Sequence, residues 1–385
     1  MGGNASAPGP TTGGGSSGHA ASRGGAVLLA AVVVLVAVAL VALCVTLVLL
    51  DDGWTRVIWA VLGALLLWQL VPRPVRVSPR AVAVVRGDGS ALHRLVDDVA
   101  GAAGVRPPSA VVVDTAYPTT VVATGYLGRA TLVLGLPQWS ALDDDERLAA
   151  LTHELACAAP TRSAGGCLIH LADDLVGRLL SLLAPAAAVQ PFEAARQEQD
   201  AGLGALGGGD DLAGARMRRE ATAAVGNAGL SVVAGPVRAL QLGLRRAARP
   251  ADEHACLAAD GLAVGLVGAR PVAALLLSTL PVARGLSAAN AAARQKADPF
   301  AALAAAARPA ADELEQRLAA AEASRARVGA RHAPTATRVR AVRASSEVAT
   351  ARVDRALVTA ADRELAAYRE WLARQLTEEL VHGRG

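Results

Sequence analysis

Between His153 and Cys157 the chain reads His-Glu-Leu-Ala-Cys, and three of these side chains can bind a metal or move a proton. His153 and Cys157 are four residues apart, so on a helix they share one face and can grip a single ion. Glu154, beside the first of them, is placed to act as general base on water that such an ion activates. The pattern is the H-E-x-x-H helix of zinc proteases with its second histidine exchanged for cysteine. A cysteine thiolate is itself a zinc ligand, at about 2.3 Å. A catalytic zinc takes three protein ligands and keeps one position open. His153 and Cys157 supply two, and a second cysteine far downstream, Cys256, bears on the third. The bland alternative is that both cysteines are small packing residues.

Positioning these groups requires a folded domain, and the chain has room for one large or two small ones in 385 residues. Ala, Val and Leu dominate, and hydrophobic residues make up 53% of the sequence. Arg supplies nearly all the positive charge, with Lys296 the only lysine. The net charge of +4 is dispersed, and no basic block is interleaved with aromatics, which argues against nucleic-acid binding. Four cysteines in so long a chain do not make a disulfide scaffold.

Residues 1–25 are Gly, Ser, Ala, Pro and Thr with almost no charge, and are expected to be a disordered tail. Ala26 to Leu50 then runs without a charge, long enough as a helix to cross a hydrocarbon core of roughly 30 Å. A second apolar run, Val57 to Val71, follows a short loop with Asp51 and Asp52, and Trp54, Trp59 and Trp68 suit a membrane interface. The expectation is a transmembrane helical hairpin over 26–72. Arg73, Arg76 and Arg80 after it and Arg23 before it place both ends in the cytoplasm by the positive-inside rule. The remaining domain, 73–385, would then face a reducing compartment, where cysteines serve as metal ligands or packing residues more often than as disulfides.

Within 73–385 the periodicity predicts a helix over Ala91–Ala103 and strands at Ala110–Asp114, Thr119–Thr124 and Ala130–Leu136. Asp143 and Glu146 have capping-box spacing and start the helix that carries His153, Glu154 and Cys157. Leu168 to Val189 is apolar but holds Asp173, Asp174 and Arg178, so it reads as a buried or interfacial helix. Ala201 to Ala215 reads as a Gly-rich loop, Val225 to Leu244 as a stretch that can lie against a membrane, and Ala251 to Val267 as a helix. The rest is Ala-rich helix, broken near Arg331–Thr335, with a final helix at Ala361–Val381.

These residues together resemble the HtpX-like membrane zinc metallopeptidases, the family that includes CAAX prenyl endopeptidases. The resemblance covers most of the chain. It runs through the apolar N-terminal pair, Gly104-Val-Arg-Pro-Pro108, the strand ending in Asp114, Ala123-Thr-Gly125, Gly135-Leu-Pro137, the acidic start Asp143–Glu146, and His153-Glu154. In that family the third zinc ligand is a Glu four residues before an Asp. The matching segment here is Cys256-Leu-Ala-Ala-Asp260, so two of three ligand positions are cysteine. The family also carries a C-terminal H-P-P-type segment followed by Arg, matched by His332-Ala-Pro334 with Arg338 and Arg340 after it.

The resemblance implies an α+β, mostly α, zincin-like domain with a small sheet. It implies a Zn2+ site of His153, Cys157 and Cys256, with Asp260 orienting the His153 ring and His332 near the cleft. Glu253, one turn before Cys256, is an alternative ligand, and Cys167 a spare thiol without support from the family pattern. The strand Ala130–Leu134 would be the sheet edge on which a peptide or membrane-protein substrate pairs. The implied activity is that of a membrane-anchored zinc endopeptidase in a bacterial plasma membrane, engaged in protein quality control, with Glu154 as base. Two thiolates neutralise the zinc charge and leave it a weaker Lewis acid. The alternatives are a pseudopeptidase scaffold that binds zinc or peptide, and a redox-sensing site.

Overall fold

The computed structural model describes residues 16–71, 81–87, 90–114, 117–124, 129–183, 228–280, 282–308, 333–347 and 353–382, with short pieces of 312–319 and residue 349. The predicted loop at 201–215 and His332 lie outside them.

Helix α1 (Ser16–Leu50) starts ten residues before the apolar run, so part of the expected tail is helical. Its segment Gly24–Leu50 is long and apolar enough to cross a membrane, a property that a signal sequence shares. Helix α2 (Thr55–Leu70) is shorter and folds back along α1, where Gly63 sits against Cys44. A Cβ on Gly63 would lie 3.1 Å from the Cys44 Cβ, so the small residue sets the approach of the two helices. Leu28, Leu35, Leu49, Val57 and Val61 on this pair are all exposed.

Four strands, β1 (Val82–Val84), β2 (Ala110–Asp114), β3 (Thr120–Thr124) and β4 (Arg129–Gly135), form a sheet in the order β1-β2-β4-β3. β2 and β4 are parallel, with Val112 opposite Val133, and the two outer pairings are antiparallel. β4 therefore lies inside the sheet, and β1 and β3 are its edges. This corrects the expectation that Ala130–Leu134 forms the edge. The reason lies in pairing: the β3–β4 hairpin and the parallel β2 partner use both sides of β4, which alternation along one strand cannot reveal.

Helix α3 (Ala91–Ala102) covers the sheet through Leu92, Leu95, Val96 and Val99. Its N-terminus is tied to α12 (Arg355–His382), because Glu364 accepts hydrogen bonds from the Leu92 amide (3.0 Å) and the Ser90 hydroxyl (2.8 Å). A short helix α4 (Leu136–Ala141) leads into α5 (Asp144–Ala158). The start of α5 is held as predicted, with Glu146 Oε2 accepting from the Asp143 amide at 2.9 Å.

Two cores flank α5. Leu148, Leu151 and Leu155 enter the sheet core with Trp139 and α12 residues Leu365 and Leu372. Ala149 and Ala150 enter a second core, built by α7 (Ala228–Val267), α8 (Ala269–Ser278) and α11 (Thr335–Ala344). Helices α6 (Ala164–Leu183) and α7 both pack on α1, and Arg245 of α7 pairs with Asp173 of α6 at 2.9 Å. The remaining helices α9 (Val282–Arg294) and α10 (Pro299–Ala306) pack together beside α4. The sequence suggests separate segments at 225–244 and 251–267, yet α7 runs unbroken through Pro236 and Pro250. A proline removes one intrahelical hydrogen bond. Here α7 is packed against α1 and α6 as well as α5, which holds the helix together through both sites.

Candidate metal centre

His153, Glu154 and Cys157 ride on α5; Cys256 and Asp260 ride on α7, the helix packed most extensively against it. His153 and Cys157 share a face with Ala149, which is why the helix can turn its leucines to the sheet and its ligands to α7. Cys256 and Asp260, also four apart, form the opposite wall.

One ring nitrogen of His153 and the sulfurs of Cys157 and Cys256 lie within 4.8 Å of one another, a group that can hold a metal ion. Nitrogen–metal and sulfur–metal bonds of about 2.0 and 2.3 Å at tetrahedral angles place ligand atoms roughly 3.5–3.8 Å apart. The three donors thus converge on one ion with small side-chain adjustment. His153 Nδ1 lies 2.9 Å from Asp260 Oδ1. That carboxylate fixes the ring and leaves Nε2 as the nitrogen for a metal, the usual outer partner of a metal-binding histidine.

Arg338, on α11, completes the site. Its Nε donates to Asp260 Oδ2 at 2.8 Å and its Nη2 to Oδ1 at 2.7 Å, a bidentate pair. Both side chains are buried, Asp260 2% and Arg338 8% exposed, so the pair is shielded from solvent. Nη2 also lies 3.2 Å from His153 Nδ1 and 3.0 Å from Nε2. For Nε2 to take a metal, the guanidinium would have to give up this contact and stay with Asp260 alone. Sequence reading placed Arg338 in the C-terminal segment without a role. The signal it lacked was the partner, 78 residues away at Asp260.

The electrostatics follow from this packing. Burial alone would raise the Asp260 carboxyl, but hydrogen bonds from Arg338 and His153 hold it at about 2. Burial would lower His153, yet bonds to Asp260 and Cys256 outweigh it and raise the ring to about 9. Cys157 and Cys256 share a hydrogen bond that lowers Cys256 to about 4 and pushes the Cys157 thiol well above its usual range. The sulfurs therefore share one proton as a pair. Glu154 is raised by burial, with His153 and Arg338 pulling in the opposite direction.

Other candidates fall outside the group. Glu253 is not among the three converging donors and is bonded to Arg249 at 2.6 Å. Cys167 begins α6 and is not part of the His/Cys/Cys cluster. Compared with protein-family models, with curated proteins and with solved structures, the chain matches none.

Proposed function

We propose that this chain is a membrane-anchored zinc endopeptidase of the HtpX-like type, with a His153/Cys157/Cys256 zinc centre and Glu154 as general base. The observation that carries the reading is the convergence of the three donors from two helices, with Asp260 on the His153 ring and Glu154 on the same turn as His153. Zinc bound there would polarise the scissile carbonyl and activate the attacking water. Glu154 accepts the proton of that water and returns it to the leaving amine, a role suited to a carboxyl raised above its ordinary range. Asp260 and Arg338 keep the His153 ring in one orientation. The substrate strand pairs on the edge strand β3, which lies against α5, so an extended peptide would run past the centre. The helix α1, with α2 beside it as a transmembrane hairpin, would hold the domain at the cytoplasmic face of the membrane, next to unfolded membrane-protein substrates.

One observation favours a second reading, a zinc- or peptide-binding scaffold with little activity. Two of the three converging donors are cysteines, and two thiolates would leave a bound zinc formally neutral and a weaker Lewis acid.

The test is metal analysis of the full chain in detergent, with a cleavage assay on an unfolded protein. About one zinc per chain and cleavage abolished by a chelator are expected. Cys157→Ala or Cys256→Ala should lower zinc content to background. Protein that is folded but holds no stoichiometric metal would sink the reading, and zinc without cleavage would favour the scaffold.

Metal binding should also release protons. At pH 7 the His153 ring, at about 9, is protonated, and the cysteine pair keeps one of its two protons. Both ligand sets must be deprotonated in the complex, so binding frees about two protons per ion. The sign is that affinity rises with pH for as long as the metal-free site still holds the His153 proton and the proton shared by the cysteines. Calorimetry in buffers of different ionisation enthalpy counts these protons directly, and a count near zero would contradict the assignment.

A further inference from the structure

We infer that Cys157 and Cys256 are a thiol pair that peroxide converts to an intramolecular disulfide, opening the candidate metal centre by oxidation. Both cysteines are free, and they come from α5 and α7, which pack directly on each other. Their sulfurs lie within 4.8 Å of each other, with the His153 ring beside both. Small residues let the helices come close: Ala149 and Ala150 of α5 share a core with Ala263 of α7, and Ala259 is also buried. A disulfide needs Cα atoms about 4.4–6.8 Å apart, a separation that helices packed through alanines can provide. Among the described residues no other cysteine joins this group: Cys44 lies on α1 against Gly63, and Cys167 begins α6. Cys157 keeps part of its surface open, whereas Cys256 is 0% exposed, so an oxidant meets Cys157 first.

The chemistry balances with hydrogen peroxide as oxidant. With the shared proton passed to Cys256, the Cys157 thiolate attacks one peroxide oxygen, the O–O bond breaks, and the sulfenic acid forms as the departing hydroxide is protonated to the first water. The Cys256 sulfur then attacks the Cys157 sulfur, the S–O bond breaks, and the departing hydroxide takes the remaining thiol proton as a second water. Two thiols lose two hydrogens and two electrons, and one peroxide becomes two waters. The disulfide sulfurs carry no thiolate charge, so His153 alone remains to bind metal. This last consequence rests on the proposed zinc centre; the disulfide itself does not.

The experiment uses the full chain in detergent, in a metal-free and a zinc-loaded sample, each treated with hydrogen peroxide. Remaining thiols are alkylated and peptides are analysed by mass spectrometry without reduction. The expected product is a peptide joining Cys157 to Cys256, lighter by two hydrogens, with two alkylated thiols in place of the original four and full reversal by dithiothreitol. A Cys44→Ser/Cys167→Ser variant should form the same link and leave no thiol to alkylate. In the loaded sample a chromogenic indicator should register about one zinc released per disulfide. Sulfinic acid at Cys157 without the link, a link to Cys167 instead, or zinc retained after the link forms would each overturn the inference. A link in protein that never took up zinc supports the thiol pair and defeats the zinc centre, so the two failures are distinguishable.

Discussion

Replacing Glu154 with Gln should leave zinc content at the wild-type level and lower peptide hydrolysis by about 10²–10⁴-fold. The two side chains have nearly the same shape, so packing beside His153 is preserved while the proton acceptor is lost. Glu154 is not one of the three converging donors, which is why the metal should stay. The loss should appear in kcat, because the proton moves only in the transition state, with KM for an unfolded protein substrate nearly unchanged. The pH profile adds an independent sign. Burial raises the Glu154 carboxyl, so activity that needs its ionised form falls as pH drops through that raised value. The variant should lack this acid limb. Equal loss of zinc and activity would instead make Glu154 a structural member of the site, and an unchanged rate would support the scaffold reading.

The second large effect is on stability. Arg338→Met should destabilise the folded chain by about 3 kcal/mol, the low end for a broken buried pair, because the Asp260 carboxylate loses its bidentate partner and keeps only His153. Arg338→Met combined with Asp260→Asn should cost clearly less than the sum of the two single changes, since the stranded charge is gone. The pH dependence has a definite direction. In the wild type Asp260 is depressed to about 2, so its stabilisation is present above the ordinary carboxylate value and lost only as pH falls through about 2. Without Arg338 the carboxyl moves upward under burial, and acid unfolding should begin at a higher pH. Thermal unfolding of the full chain in detergent across pH measures both, and additive single effects with no shift in acid unfolding would refute the coupling.

Much of the site was legible because its parts are local. The spacing of His153 and Cys157 needs only the helical repeat, and Asp143 with Glu146 marks where that helix starts. The strands at 110–114 and 129–135 follow from runs of β-branched residues, and α3 from its leucines and valines. The arrangement of strands was not legible. β4 looks the same in sequence whether it lies at an edge or between β2 and β3, and only the pairing tells them apart. Glu253, in sequence a lesser alternative to Cys256, sits on a turn of the helix that presents it to Arg249.

By itself the sequence determined the chemical types at the centre, their spacing on two helices, and one N-terminal helix long and apolar enough to span a membrane. These are properties of periodicity and composition, set by the covalent order of the chain. Only the tertiary structure decided that Cys256 meets His153 and Cys157, that Asp260 faces the His153 ring, and that Arg338 closes the site from a third helix. Those contacts join residues about 80 to nearly 190 positions apart, and they depend on α7 and α11 sharing one alanine- and valine-lined core with α5. No local rule relates such residues; the packing of the helices does.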